Sequence, residues 1–201
     1  YMYKNLPLGI SENTGLDFHS PYGCSKGAGD QYVHDYARIY GMSTVVLRQS
    51  CIYGPNQFGI EDQGWLAWFI IALALGREIT IYGDGKQIRD VLYIDDLVQL
   101  FELAVEKREK VKGKIYNVGG GMRNTLSVWS EFRPILEGLF GRKIKTKFAD
   151  WRPGDQKVYV SDIRLVEKDL NWKPKIGVEE GIKRLFDWVQ DNKSMLQNVL
   201  T

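Results

Sequence analysis

The sequence predicts an α/β fold built around a parallel sheet. Short apolar runs typical of strands alternate along the chain with longer segments of helical periodicity. One of these runs, from Thr44 to Leu47, is apolar almost throughout, as in strands that are covered on both faces. Residues that leave such a strand at its carboxyl end line the crevice where open α/β sheets bind ligands. We therefore expect residues 48–55 to line a binding site.

The first predicted helix spans residues 21–40. Ser20 is suited to cap its first free backbone N–H groups, and Gly41 is suited to the position just after its end. Apolar residues recur on one face of this helix, at Tyr32, Val33, Tyr36, Ala37 and Tyr40. Gly27 and Gly29 weaken the helix interior, so we expect another helix or a cofactor to approach closely there, and the alternative is that two exposed glycines are simply tolerated.

Tyr22 and Lys26 are the best indication of chemistry in the sequence. Their four-residue spacing brings a phenol and an ammonium together on the first turns of the helix. The partial positive charge of the helix N-terminus and the charge of Lys26 both favour the phenolate form of Tyr22. A phenolate can take a proton from a sugar hydroxyl near neutral pH. The spacing alone also arises by chance, so its meaning depends on the residues around it.

The rest of the chain is predicted to continue as alternating helices and strands. The elements in order are a buried helix at 65–75, strands at 79–82 and 91–94 around a tight turn at 83–85, a helix from its cap at Asp95 to about 109, a strand at 115–118, a glycine loop at 119–121, a helix from Ser127 to about 140, an edge strand at 145–148, and helices at 164–170 and 178–189. Pro134 should kink the helix that contains it. Residues beyond Asn192 are expected to be loosely held.

The residues around Tyr22 extend this pattern into a long motif. The segment Leu16–Tyr32, LDFHSPYGCSKGAGDQY, resembles the active-site helix of the extended short-chain dehydrogenases, which are NAD-dependent nucleotide-sugar epimerases and dehydratases with a Rossmann-type fold. The segment Asn56–Trp65, NQFGIEDQGW, is similar to the CDP-tyvelose (CDP-paratose) 2-epimerase branch of that family. The resemblance covers nearly the whole chain.

The resemblance implies roles for nine side chains. Tyr22 and Lys26 are the implied catalytic residues and also contact NAD, together with Ser50 and Tyr53. The implied nucleotide-sugar contacts are His19, Gln49, Arg89, Arg152 and Asp155, with the two arginines on the diphosphate. A guanidinium suits phosphate oxygens because it is planar and permanently charged. The structural alternatives are a surface pair between Arg89 and Asp90 and a surface turn at residues 152–155.

The implied reaction is an epimerisation at C2 of a CDP-linked sugar. Tyr22 takes the proton of the C2 hydroxyl while a hydride passes to NAD. The resulting 2-keto sugar rotates to expose its other face before the hydride returns to C2. Two alternatives stay open. One is a nucleotide-sugar 4-epimerase or 4,6-dehydratase, which shares Tyr22, Lys26 and both arginines. The other is a noncatalytic module that only binds a nucleotide sugar.

The resemblance also predicts that part of the enzyme is missing. Relatives begin with a nucleotide-binding half that carries a Gly-x-x-Gly-x-x-Gly turn, and this sequence has none. We therefore predict a partial sheet with only the later strands, in which residues 1–55 and 91–121 remain from the NAD-binding domain. Residues 56–90 and 122–201 then form an interleaved, small α+β domain that binds the nucleotide sugar. Alone, the chain is expected to have negligible NAD affinity, and the family suggests a homodimer through helix 21–40.

Composition narrows the remaining classes of function. The 27 basic and 25 acidic residues are interspersed and leave a formal net charge of +2, so no basic face for nucleic acid is expected. The longest apolar run, Trp65–Leu75, is too short to cross a bilayer, and no export signal is recognised. Cys24 and Cys51 lack metal-ligand spacing, and we expect reduced thiols in a cytoplasmic protein and no metal site.

Overall fold

The computed structural model describes residues 8–200, and these form an α/β fold as the sequence predicts. The helices are α1 (Pro21–Tyr40), α2 (Trp65–Ala74), α3 (Ile94–Glu106), α4 (Arg108–Val111), α5 (Phe132–Phe140), α6 (Arg164–Leu170), α7 (Val178–Asp191) and α8 (Lys193–Val199). The strands are β1 (Val46–Gln49), β2 (Cys51–Tyr53), β3 (Ile79–Tyr82), β4 (Ile88–Tyr93), β5 (Ile115–Val118), β6 (Thr125–Ser127), β7 (Thr146–Ala149) and β8 (Val158–Tyr159). The predicted NAD-binding range begins at residue 1, so its first seven residues lie outside this description.

Parallel pairing dominates the sheets. β1 pairs with β5, and β2 pairs with the second half of β4, both in parallel. The first half of β4 lies between β6, which is antiparallel, and β8, which is parallel. The carboxyl ends of β1 and β5 lie side by side, because Gln49 is in register with Val118. Residues 49 and 50 therefore lie at the carboxyl end of a parallel pair, where open α/β sheets bind ligands, whereas residues 51–53 continue as β2.

The structure separates two strands that the sequence places around one tight turn. Gly83 and Gly85 do have the positive φ angles that such a turn needs, 78° and 70°. Within the described residues, however, β3 pairs in parallel with β7, and Ile79 is in register with Thr146. β4 takes its partners from β2, β6 and β8 instead. The turn therefore joins two sheets rather than the two strands of a hairpin.

Helix α1 has the predicted bounds and caps, but most of its surface is exposed. The Ser20 hydroxyl accepts a hydrogen bond from the Gly23 N–H at 3.0 Å, and Gly41 ends the helix with a φ of 68°. Gly27 is the one residue of the helix that is buried in the described structure. The ring of Phe18 lies against it, 1.9 Å from where a Cβ would stand. At Gly27 a side chain of the preceding segment thus makes the close approach that the sequence predicts for a helix or cofactor. At Gly29 the described structure has no atom beyond the neighbouring helix backbone within 4 Å of where a Cβ would stand, so the prediction of a close approach is not met there.

Three local predictions need correction. α3 begins at Ile94, with Tyr93 before it, so Asp95 lies in the first turn and is not the cap. Ser127 ends β6, and α5 begins at Phe132. Ser127 instead exchanges hydrogen bonds with Glu131, which fixes the corner between strand and helix. Pro134 consequently falls in the first turn of α5, where its missing N–H has no partner to lose, and the helix is not split.

Two clusters of buried apolar side chains form the core. One joins α2, α5 and α7 and contains Phe69 and Phe132. The other joins α3, β5 and α6 and contains Tyr116 and Leu170. α6 therefore packs in one core cluster with α3 and β5, whereas the predicted domain division assigns residues 91–121 and 122–201 to different units.

The chain end is better ordered than the sequence suggests. Residues after Asn192 form α8, and Leu196 is fully buried against the core that contains α2 and α7. Arg77 also donates a hydrogen bond to the Leu200 carbonyl at 2.7 Å. The prediction of a loosely held end is therefore wrong for residues 193–200.

We predict that Leu196→Ala lowers the free energy of unfolding of this chain by about 2–5 kcal/mol, because it leaves a cavity in the core. Urea denaturation followed by circular dichroism measures the change. Gln197→Ala, at the exposed neighbouring position, is the control and should stay within about 0.5 kcal/mol. Equal, small effects of the two changes would show that α8 does not support the core.

Candidate active site

Tyr22 and Lys26 stand at the mouth of an open cleft beside the carboxyl end of β1. The cleft has a volume of about 840 Å³, and both residues line it together with Ser50 and Arg89. The Lys26 ammonium lies 5.6 Å from the centre of the Tyr22 ring, so the four-residue spacing brings the two groups together. The Tyr22 side chain is 68% exposed, which leaves its hydroxyl open to a ligand.

A second cleft opens on the other side of Tyr22. Its volume is about 680 Å³, and Tyr22, Gln49 and Ser50 line it with side chains from the segment after β2, including Gln57 and Trp65. Tyr22, Gln49 and Ser50 line both clefts and therefore stand between them. The motif 56–65, singled out from the sequence, thus contributes one wall of the site.

A buried ion pair attaches α1 to β1. Arg48 donates from Nε to Asp30 Oδ2 at 2.5 Å and from Nη2 to Oδ1 at 3.1 Å, and its Nη1 reaches the Glu12 carbonyl at 3.2 Å. The side chains of Arg48 and Asp30 are only 19% and 9% exposed. Burial alone would raise the pKa of Asp30, but the hydrogen bonds and charge of Arg48 outweigh it and hold that pKa below its ordinary value.

Ser50 is anchored from both its backbone and its side chain. Its N–H donates to the Val118 carbonyl at 2.8 Å, which continues the ladder between β1 and β5. Its hydroxyl donates to Asp90 Oδ1 at 2.5 Å, and it also lies 2.8 Å from the Asp90 carbonyl. Asp90 itself is fully buried in β4. Ser50 therefore occupies a fixed position beside Tyr22.

Arg89 pairs with Asp155 and not with its neighbour Asp90. Its Nη2 donates to Asp155 Oδ1 at 3.0 Å and to the Gln156 carbonyl at 2.5 Å. Gln87 approaches the other oxygen of Asp155 at 3.4 Å. The local surface pair of Arg89 and Asp90 is thus absent from the described structure, and two of the predicted substrate residues are brought together.

Arg152 and His19 lie at or near the loop of residues 150–157, which also carries Asp155. The Arg152 guanidinium stacks over the Tyr82 ring at 3.9 Å and pairs with Asp62 at 3.0 Å. His19 is exposed and lies 3.2 Å from Asp17, and its carbonyl is 3.3 Å from where a Cβ on Gly154 would stand. Neither Arg152 nor His19 is among the residues that line the two clefts described above.

Tyr53 is the predicted contact that the structure places elsewhere. Its side chain is 2% exposed, and its hydroxyl lies 3.4 Å from the Val178 carbonyl. Gly181 of α7 packs against that hydroxyl, because a Cβ there would be only 2.1 Å from it. The Tyr53 phenol therefore belongs to the core and does not face Tyr22, which corrects its assignment to the cofactor.

The described residues fit one end of an NAD molecule. Tyr22, Lys26 and Ser50 offer two hydroxyls and an ammonium to one open cleft, a donor and acceptor set suited to a ribose and a carboxamide. The glycine run 119–121 provides no phosphate site, since Asp90 Oδ2 stands 2.1 Å from where a Cβ on Gly119 would lie. Its prediction as a plain loop is consistent with this packing.

Sequence reasoning missed the groups that hold the site in place. Arg48 follows the apolar run 44–47 and Asp90 precedes the apolar run 91–94, and this contrast is a signal that the sequence offers, whereas Asp30 lies in a polar segment that gives none. In residues 8–200 no three His, Cys, Asp or Glu side chains are grouped so as to hold a metal ion. A search of the same residues finds no helix with the length and apolar character needed to cross a membrane.

Comparison with known proteins gives the family. The model of the NAD dependent epimerase/dehydratase family matches residues 3–119, more than half of the 201-residue chain. The chain belongs to the NAD-dependent epimerase/dehydratase family, as its motifs predict, and the family's cofactor is NAD.

Individual relatives match over nearly the whole chain. CDP-paratose 2-epimerase of Salmonella typhi is 42% identical over 193 residues, which cover 94% of this chain and 57% of that protein. dTDP-glucose 4,6-dehydratase of Escherichia coli is 32% identical over 204 residues, covering 97% and 55%. The crystal structure of UDP-glucuronic acid 4-epimerase from Bacillus cereus, in complex with UDP-glucuronic acid and NAD, superposes with a TM-score of 0.82 at 28% identity, covering 91% and 56%. The chain therefore spans little more than half the length of these relatives.

We predict that Asp30→Asn destabilises this chain by about 2–3 kcal/mol at pH 7, because it leaves the Arg48 guanidinium buried without its charged partner. The folded pKa of Asp30 is lowered, so its contribution is complete above the unfolded carboxyl pKa near 4 and is lost as the pH falls through the folded value. Urea denaturation at a series of pH values measures this.

Asp35→Asn provides the matched control for that change. Asp35 forms an exposed pair with Arg38 on the same helix, in which the side chains are 54% and 66% exposed, so its loss should have little effect. If the difference between Asp30→Asn and the unchanged chain stays constant down to the acid transition, the pair does not stabilise the helix electrostatically.

Proposed function

We propose that this chain is the C-terminal part of an NAD-dependent nucleotide-sugar epimerase that inverts C2 of a CDP-linked sugar. The observation that carries the proposal is the position of Tyr22 and Lys26 beside Ser50, in a cleft that Arg89 also lines. The choice of C2 and CDP is supported by the 42% identity to CDP-paratose 2-epimerase, against 32% for a 4,6-dehydratase.

In this proposal the residues of the chain handle the proton and the position of the sugar. Tyr22 takes the proton of the C2 hydroxyl and later returns it, while Lys26 holds the cofactor's ribose. The chemistry that bound NAD would supply is the reversible acceptance of a hydride from the sugar carbon. Rotation of the 2-keto sugar between the removal and the return of the hydroxyl proton needs space, and the cleft walled by residues 57–66 provides it.

The diphosphate would lie between the two arginines. Arg89 lines the cleft of Tyr22, and Asp155 holds its guanidinium in place. Arg152 is held from the opposite side by Tyr82 and Asp62, so both guanidinium groups are fixed before a ligand arrives. Planar, oriented cations of this kind suit phosphate oxygens. Asp155 and His19, on the same side, are proposed to contact the nucleotide and the sugar, and Gln49 the sugar.

The remaining proposals concern organisation. We assign residues 163–172 to the NAD-binding unit along with 8–55 and 91–121, because they pack in the same core cluster as Tyr116. A homodimer through α1 would cover Tyr32, Ile39 and Tyr40, whose side chains are 66–69% exposed. Cys24 and Cys51 are both free thiols, which supports a location in the cytoplasm.

A 4-epimerase or 4,6-dehydratase is the second candidate, because relatives with those names match this chain at 32–33% identity over 90–97% of its length. NMR analysis of the product separates the possibilities, since inversion at C2, inversion at C4 and loss of water give different sugars. A noncatalytic nucleotide-sugar module is the third candidate. It predicts that the 201-residue chain alone binds CDP in calorimetry, whereas NAD does not bind.

We predict that Tyr22→Phe in the whole protein lowers turnover at least about a hundredfold, because it removes the base, while nucleotide binding is largely kept. The rate of C2 inversion, followed by NMR, and the affinity for CDP measure the two effects. Tyr32→Phe, a change of the same kind at an exposed position of α1, should leave the rate unchanged. Unchanged turnover in Tyr22→Phe would reject Tyr22 as the base.

We predict that Arg152→Met in the whole protein weakens CDP binding about tenfold or more, because a charged hydrogen-bond donor to the diphosphate is lost. Isothermal calorimetry at fixed salt concentration gives the dissociation constants. Arg133→Met on α5, where the guanidinium pairs with Glu137 on the surface, is the control. An equal affinity in both variants would place the diphosphate away from Arg152.

A further inference from the structure

Asp90 is a buried carboxylate to which the proposed reaction gives no role. It lies in the middle of β4, is 0% exposed, and directly follows Arg89 in the chain. A buried carboxylate is strongly unfavourable unless several donors satisfy its oxygens. The hydrogen-bond donors around Asp90 therefore indicate its role in the structure.

Donors from two other strand ends converge on Asp90. The Ser50 hydroxyl donates to Oδ1 at 2.5 Å, and the Gly121 N–H donates to Oδ2 at 3.1 Å. Gly119 must be a glycine here, because a Cβ would stand 2.1 Å from Oδ2. Burial raises the pKa of Asp90, and these hydrogen bonds act against that rise. The carboxylate is thus locked between the ends of β1 and β5.

This arrangement decides how Ser50 behaves towards a ligand. A serine hydroxyl has one proton to donate and two lone pairs that accept. The proton is directed at Asp90, where the carboxylate at 2.5 Å and the backbone carbonyl at 2.8 Å can both accept it, so Ser50 has only lone pairs to offer the cleft that it lines. Ser50 is therefore an acceptor on its cleft side. A complementary ligand group must carry an N–H or O–H at that point.

We propose that Asp90 is a positioning residue that fixes Ser50 as a hydrogen-bond acceptor for an N–H or O–H donor of the bound ligand. The inference rests on the proposed function, because two donors of that function reach this cleft. One is the carboxamide N–H of NAD, and the other is a hydroxyl of the sugar. Asp90 acts through Ser50 and touches neither ligand.

The decisive variant is Asp90→Asn in the whole protein. The amide has the same shape, and its oxygen keeps the bond from the Gly121 N–H. Its NH₂ group then faces Ser50 and donates to it. The charged acceptor of the Ser50 proton is thereby lost, and that proton is shared between the Asp90 backbone carbonyl, 2.8 Å away, and the cleft. We expect binding of the affected ligand to weaken about tenfold in Ser50→Ala, which removes the acceptor, and by a smaller factor above about threefold in Asp90→Asn, which keeps the backbone acceptor of the proton.

Two pairs of probes distinguish the sources of the donor. The 3-acetylpyridine analogue of NAD keeps the carbonyl and lacks the carboxamide N–H, and CDP lacks the sugar of the CDP-sugar. If the carboxamide is the donor, Asp90→Asn and Ser50→Ala weaken NAD but leave the analogue unchanged. If a sugar hydroxyl is the donor, both variants weaken the CDP-sugar and leave CDP unchanged.

A double-mutant cycle tests whether Asp90 acts through Ser50. In the Ser50→Ala background, Asp90→Asn should change the affinity less than about twofold, because the hydroxyl that it orients is gone. Asp96→Asn is the control and should leave the affinities unchanged. Asp96 is also buried, but it accepts hydrogen bonds from the backbone N–H groups of residues 175 and 176 and not from Ser50. The same loss from Asp90→Asn in both backgrounds overturns the proposal.

The inference and the proposed function fail in different ways. If Asp90→Asn does not fold, Ser50→Ala still tests the acceptor role of Ser50. That role is overturned if Ser50→Ala weakens NAD and its analogue equally and also weakens the CDP-sugar and CDP equally. Absence of any epimerisation by the unchanged whole protein contradicts the proposed function. The affinities of the four probes are measured independently of turnover.

Discussion

The ion pair between Arg48 and Asp30 is the contact on which the candidate site depends. α1 has one buried residue in the described structure, so apolar packing holds it only weakly. Arg48 is the residue just before Gln49 and Ser50, and it grips the middle of the helix that begins with Tyr22. A pair with two hydrogen bonds fixes both distance and rotation, because the guanidinium and the carboxylate are planar. The helix and the strand end therefore face one cleft.

Buried polar contacts continue this arrangement across the sheet. Glu12 accepts from the Asn117 N–H at 2.7 Å, and its carbonyl accepts from Arg48. Asp90 then ties the end of β1 to the turn after β5. Each of these groups would be costly if it were unpaired, so together they favour a single arrangement of the strand ends. That rigidity is what a proton-transfer site needs.

The parts that sequence reasoning predicted well are those with local causes. The Ser20 cap, the Gly41 end and the Tyr22–Lys26 pair follow from spacings of a few residues. The pairs that fix the site join residues 18 and 40 positions apart, so they depend on a topology that the sequence alone does not give. The same reason explains why the sequence does not predict the partner of β3, since β7 begins more than sixty residues later. Ser127, which the sequence predicts as the start of a helix, forms hydrogen bonds with Glu131 at the corner that precedes α5.

The proposed function assigns chemistry and substrate choice to separable parts of this chain. Tyr22, Lys26 and Ser50 are held by α1 and the sheet, whereas Arg152 is held by Asp62 from the segment after β2 and by the ring of Tyr82. A change within residues 56–65 therefore alters the setting of the proposed diphosphate contact without moving the base. In the proposed function the chain's contribution to the proton step comes from α1 and the strand ends, whereas its contribution to substrate choice comes from the segment after β2 and from Arg152.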